Sequence, residues 1–194
     1  MKKTVAIALL LITIAAAGYL LQIYLKPQAG PPVAGPVAEG KIDFTLEDLQ
    51  GNPRQLSEWR GQALLVNFWA TWCAPCRREI PLLKQTQAMQ AEKHLQIIGV
   101  AVDFRDEVEA YAKDAEFNYP ILIGQEDAMA AAEASGIEFI GMPFTLVVAA
   151  DGTMIKAHIG EILAEHIDRI VSVVARLESG ELDLAGAKKD LQDL

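Results

Sequence analysis

Two cysteines are the side chains of this 194-residue sequence most able to do chemistry. Cys73 and Cys76 stand three positions apart, with an Ala-Pro pair between them, and the chain contains no other cysteine. Such a pair can form a structural disulfide, bind a metal, or cycle between dithiol and disulfide. A structural disulfide is disfavoured because so short a loop restrains the unfolded chain little. A metal site, for which the soft ion Cu(I) would be the expected occupant, is disfavoured because the sequence near the cysteines offers no further cysteine or histidine ligands.

The elements predicted around the cysteines explain how a dithiol could become reactive. Residues 63–70 form a nearly continuous apolar run, which predicts a central strand buried on both faces. A helix is predicted at 75–91, so Cys73 stands at its N-terminus, where unpaired N–H groups and the helix dipole stabilise a thiolate. We therefore expect a lowered pKa for Cys73, the nucleophile, and a resolving role for Cys76 one turn later.

The rest of the chain alternates predicted strands and helices. Strands are predicted at 63–70, 95–102, 119–123, 144–149 and 153–159, and helices at 75–91, 106–115, 127–134 and 163–177. The Asp151-Gly152 pair marks a hairpin between the last two strands. This order predicts an α/β fold with a mixed central sheet and helices on both faces. Residues 178–194 are predicted as a polar tail.

The composition indicates an acidic domain with a sizeable core. Hydrophobic residues make up 52% of the chain and charged residues 22%, with a formal net charge of -9. The sequence has no stripe of basic and aromatic residues, so nucleic acid is not expected as a partner.

The N-terminus predicts attachment to a membrane. An uncharged, largely apolar run follows Lys2 and Lys3 and is long enough to span ~30 Å of hydrocarbon as a helix. The lysines favour a cytoplasmic N-terminus. We expect an uncleaved transmembrane anchor at 1–26, a Pro/Gly linker at 27–40 and a folded domain at 41–177 on the periplasmic or extracytoplasmic side of the cytoplasmic (inner) membrane. The alternative is a cleaved signal peptide, with the alanines at 15–17 as its small-residue site.

The residues around the cysteines resemble a known group of proteins. The segment VNFWATWCAPCRREIP, at 66–81, is similar to the thioredoxin superfamily and, within it, to TlpA/ResA-type membrane-anchored thiol-disulfide oxidoreductases. The Gly-Met-Pro motif at 141–143 and the Asp-Gly hairpin add to the resemblance, which spans about 41–177. It implies a thioredoxin-like fold with a helix-strand insertion between Val102 and Asp127. It also implies a redox-active disulfide and no other cofactor.

The resemblance implies roles for individual residues. Cys73 and Cys76 match the redox pair, and Trp72 matches the tryptophan beside the active site, although core packing is an alternative role for it. Pro143 matches the cis-proline loop that faces the cysteines, where the preceding residue, Met142, would pair with a substrate strand. Without the resemblance, a trans bond would be expected before Pro143.

Glu79 is the candidate general acid and base. It follows Cys76 by three positions and so shares its helical face, and a glutamate at this place assists proton transfer in the related family. Thioredoxin uses an aspartate in the preceding strand, where this sequence has Asn67, which cannot titrate. The alternative for Glu79 is a solvated carboxylate in the first helical turn. His158 and His166 are interpreted as surface or packing residues.

The direction of electron flow is predicted from the residues between the cysteines. The Ala-Pro pair lacks the histidine of strong oxidants such as DsbA and is close to the Gly-Pro of thioredoxin. We expect a reductase, supplied with electrons by a membrane thiol transporter of DsbD/CcdA type. Its expected clients are exported disulfide-bearing proteins such as apocytochrome c or copper-assembly proteins. The alternatives are an oxidase or isomerase on the same fold and a non-enzymatic copper-binding module.

Overall fold

The computed structural model describes residues 40–90, 95–134 and 141–194. The predicted anchor at 1–26, and the linker at 27–40 except for its last residue, lie outside the described residues. Contacts within the chain separate Met1–Pro31 from Pro32–Leu194, and every feature described below belongs to the second unit. Within the described ranges, no helix combines the length and the apolarity that crossing a membrane requires.

Seven strands and five α-helices make up the described part of the chain. The strands are β1 (Thr45–Asp48), β2 (Pro53–Gln55), β3 (Ala63–Trp69), β4 (Leu95–Val102), β5 (Ile121–Gly124), β6 (Phe144–Val148) and β7 (Met154–Ile159). The helices are α1 (Ala74–Gln90), α2 (Arg105–Ala115), α3 (Glu126–Ala134), α4 (Ala164–Glu178) and α5 (Leu184–Asp190), and a 3₁₀ turn occupies Leu56–Trp59.

The strands form one mixed sheet in the order β2-β1-β5-β4-β3-β6-β7. Strands β3, β4 and β5 are parallel neighbours, whereas β1, β2, β6 and β7 pair in the antiparallel sense. All seven residues of β3 are buried, as expected for a strand covered on both faces. The carboxyl ends of β3 and β4 meet at one edge of the sheet, and the cysteine loop leaves β3 at that edge.

Alternate residues of β3 belong to two apolar clusters, one on each face of the sheet. Leu65 and Trp69 pack with side chains of α1, α2, α4 and α5. Val66 and Phe68 pack with the 3₁₀ turn and with Ala128, Ala131 and Ala132 of α3. Because side chains alternate between the two faces of a strand, the sheet carries helices on both sides. This confirms the predicted α/β arrangement.

The structure differs from the sequence prediction at both ends of the described region. Strands β1 and β2 were not predicted because they are short and carry little apolar alternation. The segment 178–194, predicted as a polar tail, contains α5, and its residues Ala187 and Leu191 are fully buried in the α1 face of the core. Leu184, Ala187, Leu191 and Leu194 do have helical spacing. The prediction was wrong because the segment is short, polar and contains two glycines, and its apolar face was not recognised.

The close contact of β4 with β5 generates a stability prediction. A Cβ atom added at Gly99 would lie 2.7 Å from Ile121 Cδ1 and 3.2 Å from Trp69 Nε1. Because overpacking a filled core costs about 1–3 kcal/mol, Gly99→Ala should lower the free energy of unfolding by about that amount in urea titrations. Adding Ile121→Val removes the nearest atom and should recover part of the loss, with Ile121→Val alone as the reference. Equal stability of Gly99→Ala and the parent would contradict this packing.

Candidate active site

The two cysteines are joined in a disulfide at the start of α1. Cys73 is 5% exposed and Cys76 is fully buried, so substrate can reach the pair only through the first cysteine. The Cys73 N–H donates to the carbonyl of Ala70, just beyond the end of β3. The Cys76 N–H points to Cys73 Sγ at 3.3 Å. In the reduced protein, a donor at this place favours the thiolate form of Cys73.

A buried aspartate holds the loop that carries the cysteines. Asp103 Oδ2 accepts hydrogen bonds from the Thr71 backbone N–H at 2.9 Å and from the Thr71 hydroxyl at 2.6 Å. Its Oδ1 accepts the N–H of Phe104 at 2.8 Å. Sequence reasoning missed Asp103. It could have been recognised as a polar residue directly after a predicted buried strand, because the ends of parallel strands meet at one edge of the sheet.

Two exposed aromatic rings flank this hydrogen-bonded pair. Trp72 follows Thr71 and is 68% exposed, while Phe104 follows Asp103 and is 61% exposed. The exposure of Trp72 leaves its indole ring available to a bound polypeptide rather than to the core. Phe104 was not identified from the sequence, and it is a second large exposed apolar side chain, next to the aspartate that binds the cysteine loop.

The Met142–Pro143 bond is cis, as the resemblance implied. Pro143 is buried and Met142 is half-buried against the α1 face of the core. The next residue, Phe144, lies opposite Phe68 in the β3–β6 register, so the proline loop flanks the end of β3 from which the cysteines follow. The Phe144 ring stacks on that of Phe68 at a centroid distance of 4.3 Å. Phe144 is therefore a core residue.

Glu79 lies under the dithiol and is 1% exposed. Its Oε1 accepts a hydrogen bond from Asn67 Nδ2 at 2.7 Å, and its Oε2 accepts the backbone N–H of Ile162 at 2.7 Å. Because Cys76 lies three positions earlier on the same helix, their side chains are neighbours, at about 5–6 Å between Cβ atoms. The carboxyl group is thus a buried neighbour of the resolving cysteine, and the alternative of a solvated first-turn carboxylate does not describe it.

Burial raises the pKa of Glu79 from its ordinary value of 4.5 to about 7. The two hydrogen bonds from Ile162 and Asn67 act in the opposite direction, and the nearby charge of Glu161 adds to the rise. Among the described residues, no Lys or Arg side chain pairs with the negative charge of this carboxylate. A carboxyl group with a pKa near 7 can take up and release a proton at neutral pH, as a general acid and base must.

The Asn67 side chain connects the carboxyl group to the sheet. Its Nδ2 also donates to Thr145 Oγ1 at 3.0 Å, across the β3–β6 pair. Its Oδ1 is buried and has no hydrogen-bond partner within the described residues. An amide can present either a donor or, after rotation by 180°, an acceptor. Asn67 can therefore accommodate both the ionised and the protonated form of Glu79.

A tetrahedral metal site needs several ligand side chains that converge on one point. Within 40–90, 95–134 and 141–194, no group of three or more His, Cys, Asp and Glu side chains is arranged to hold a metal ion. Two of the three histidines, His158 and His166, pack against each other with ring centroids 4.5 Å apart, close to the segment that contacts Glu79.

Comparisons with known proteins agree with this geometry. A family model described as the AhpC/TSA family matches residues 37–157. The thiol-disulfide oxidoreductase ResA of Geobacillus kaustophilus is 30% identical over 163 residues, which cover 84% of this chain and 90% of the relative. The thioredoxin-like protein YneN of Bacillus subtilis is 30% identical over 178 residues, which cover 87% of this chain and 96% of the relative.

A solved structure supports the same assignment. The structure of a thiol:disulfide interchange protein of the thioredoxin family from Chlorobium tepidum TLS matches with a TM-score of 0.63 and 29% identity. The match covers 72% of this chain and 98% of that one. These similarities confirm the thioredoxin-like fold that the sequence motifs implied.

The raised pKa of Glu79 generates a prediction on stability. The unfolded chain ionises this carboxyl group near pH 4.5 and the folded chain near pH 7, so the parent loses stability as pH rises between these values. Glu79→Gln cannot ionise, so its stability relative to the oxidised parent should increase by about 3 kcal/mol from pH 4.5 to pH 8. Urea titrations at both pH values measure the change.

An exposed carboxylate supplies the control for this measurement. Glu107 lies on the outer face of α2, and Glu107→Gln should show no comparable increase. A constant difference between Glu79→Gln and the parent across this pH range would contradict the buried titration.

Proposed function

This chain belongs to the AhpC/TSA family and is a thiol-disulfide oxidoreductase, and from that premise we propose that it reduces disulfides of exported proteins. The observation that carries the proposal is the burial of Glu79 beside Cys76. A resolving thiol with no access to solvent needs an internal group to take its proton, and this carboxyl group has the required position and a pKa of about 7.

The proposed reaction has two thiol-disulfide exchange steps. The Cys73 thiolate attacks one sulfur of the substrate disulfide, a mixed disulfide forms, and the first substrate thiolate leaves and takes a proton from solvent. The Cys76 thiol then gives its proton to Glu79 and attacks Cys73 Sγ. The Cys73–Cys76 disulfide forms and the second substrate thiolate leaves. The substrate has gained two electrons and the protein dithiol has lost two.

The two exposed aromatic rings suit a polypeptide substrate. Trp72 adjoins Cys73 in the chain, and Phe104 adjoins Asp103, which binds the cysteine loop; both offer exposed apolar surface. The cis-proline loop lies on the β6 side. Met142, half-buried in that loop, supplies backbone groups to which an extended substrate segment can pair. Client recognition would then depend on an extended segment around the disulfide rather than on a deep pocket.

The N-terminal sequence supports an extracytoplasmic location for this reaction. We infer that residues 1–26 anchor the protein in the cytoplasmic membrane and that the domain faces the extracytoplasmic side, because Lys2 and Lys3 precede a long apolar run. A reductase in an oxidising compartment needs electrons from the cytoplasm. A membrane thiol transporter of DsbD/CcdA type would supply them and regenerate the dithiol, and apocytochrome c or copper-assembly proteins are candidate clients.

The reduction potential of the Cys73–Cys76 couple tests the direction of electron flow. The Ala-Pro pair between the cysteines is similar to that of thioredoxin, so equilibration with dithiothreitol or glutathione buffers should give a potential near -270 mV, about that of thioredoxin. A value near -120 mV, about that of DsbA, would indicate an oxidant and contradict the proposal. A dithiol without a reversible couple that retains copper would favour a binding module instead.

Trapping of the mixed disulfide tests both the client and the compartment. In Cys76→Ser the resolving thiol is absent, so substrate should remain bound to Cys73 and be recovered by non-reducing purification from cells. Cys73→Ser, which cannot form the bond, is the matched control. We expect exported proteins among the trapped partners. Partners drawn solely from the cytoplasm would contradict the proposed location, and an absence of mixed disulfides would contradict the mechanism.

A further inference from the structure

A short segment between β7 and α4, residues 160–163, connects two parts of the site. At one end, the N–H of Gly160 donates to the carbonyl of Pro143 at 2.9 Å. Two residues later, the N–H of Ile162 donates to Glu79 Oε2 at 2.7 Å, and its side chain is 1% exposed. Residues 160–163 therefore bind both the cis-proline loop and the buried carboxyl group.

His158 and Arg78 hold the middle of this segment. His158 Nε2 lies 3.3 Å from the carbonyl oxygen of Glu161. Because a carbonyl oxygen can only accept, Nε2 is the donor. The carboxylate of Glu161 pairs with Arg78 of α1, whose Nε lies 3.1 Å from both oxygens. His158 is 7% exposed, and its Nδ1 has no hydrogen-bond partner among the described residues.

His166 holds the far end of the segment. The backbone N–H of Leu163, the residue before α4, donates to His166 Nδ1 at 3.1 Å. This is the reciprocal part of a capping box, in which a side chain of the first helical turn accepts the N–H of the cap residue. An imidazole can accept at Nδ1 only while that nitrogen carries no proton. The contact therefore requires His166 to be neutral.

We propose that His158 and His166 are positioning residues of the dithiol site. Through His158 Nε2 and the neutral His166 ring they fix residues 160–163, and the segment in turn presents the Ile162 N–H to Glu79. The two histidines, which the sequence indicated as surface or packing residues, thus act on proton transfer without touching the cysteines.

The charges around His166 determine when this contact is lost. Burial lowers the pKa of His166 below its usual 6.5, and the nearby His158 and Arg169 lower it further, whereas Glu165 raises it. A lowered pKa preserves the neutral cap above pH 6.5, and the cap is lost as pH falls through the folded-state value. The protonated ring would also place positive charge at the N-terminus of α4, where the helix dipole disfavours it.

Loss of the cap has a consequence for Glu79. In a variant without the His166 acceptor the cap is absent at every pH, and the Ile162 N–H beside it is held less firmly. Loss of this donor raises the pKa of the carboxylate by about one unit. At pH 7 its ionised fraction then falls from about one half to about one tenth. The resolving step, in which Glu79 takes the Cys76 proton, should slow about fivefold. The attack of Cys73 on a disulfide should be unchanged.

Two variants of His166 separate titration from hydrogen bonding. His166→Gln retains a side-chain acceptor, since glutamine serves at this capping position, but it does not titrate. His166→Ala has no acceptor at any pH. Ser172→Ala, at an exposed position of the same helix, is the matched control. The Ile162 amide resonance and the Glu79 carboxyl resonance are followed by NMR from pH 4.5 to 8.5 in the isotope-labelled full-length oxidised protein.

The expected results differ between the variants. In the parent and in Ser172→Ala, the Ile162 amide should titrate in two steps, one near pH 7 from Glu79 and one below pH 6.5 from His166. In His166→Gln the second step should disappear. In His166→Ala the amide should be displaced already at pH 8, and the Glu79 pKa should lie about one unit higher. An unchanged second step in His166→Gln, or an unchanged Glu79 pKa in His166→Ala, would overturn the proposal.

Kinetics with a small disulfide provide a second readout. Release of the first thiol from 5,5′-dithiobis(2-nitrobenzoate) should be equal in the reduced parent and His166→Ala, and release of the second should be slower in His166→Ala. Equal second rates would also overturn the proposal. The inference rests on the proposed function for its role in turnover, but the NMR titration uses no substrate. A reduction potential typical of an oxidant would therefore contradict the proposed function, but the NMR titration would still test the role of His166.

Discussion

The burial of one carboxyl group, that of Glu79, is the constraint on which the rest of the site depends. A charged group out of contact with water is costly unless it is paired or hydrogen-bonded, and this carboxylate receives two hydrogen bonds from Asn67 and Ile162. That support is too small to cancel desolvation, so its pKa remains near 7. A stronger donor set would favour permanent ionisation, and a weaker one would favour a permanently protonated acid. The intermediate environment allows the carboxyl group to take up and release a proton near pH 7, as the proposed exchange with Cys76 requires.

The sheet provides this environment by joining distant parts of the chain. Asn67 and Thr145 lie opposite each other on β3 and β6. The Asn67 amide therefore donates to Glu79 on one side and to the Thr145 hydroxyl on the other. The neighbouring pair of β6 and β7 places Thr145 opposite His158. One row of polar side chains therefore crosses three strands inside an otherwise apolar face. Asn67 donates to Thr145 within this row, while His158 finds its partner outside it, at the Glu161 carbonyl, and Asn67 Oδ1 and His158 Nδ1 have no partner among the described residues.

The two sides of the active site have opposite physical characters. The inner side is buried, with Cys76 and Glu79 inaccessible to solvent, and it is where the proposed proton transfer takes place. The outer side exposes Trp72 and Phe104, which Thr71 and Asp103 hold in place through two short hydrogen bonds. Separation of these tasks allows the outer surface to contact varied polypeptides. The pKa of the inner carboxyl group is then determined by the domain rather than by the client.

The sequence alone determined the dithiol, its place between a buried strand and a helix, and the α/β order of elements, because local spacing and periodicity encode these features. It also indicated Glu79, since residues three apart share a helical face. It did not reveal the burial of α5, the roles of Asp103 and Phe104, or the contact between Glu79 and Ile162, which are 83 residues apart. Those features depend on strand register and on which surfaces lose water when the helices pack. Desolvation and long-range hydrogen bonds arise only in the tertiary structure. Desolvation raises the pKa of the carboxyl group and the hydrogen bonds lower it, and this balance, rather than residue type, sets the value near neutrality.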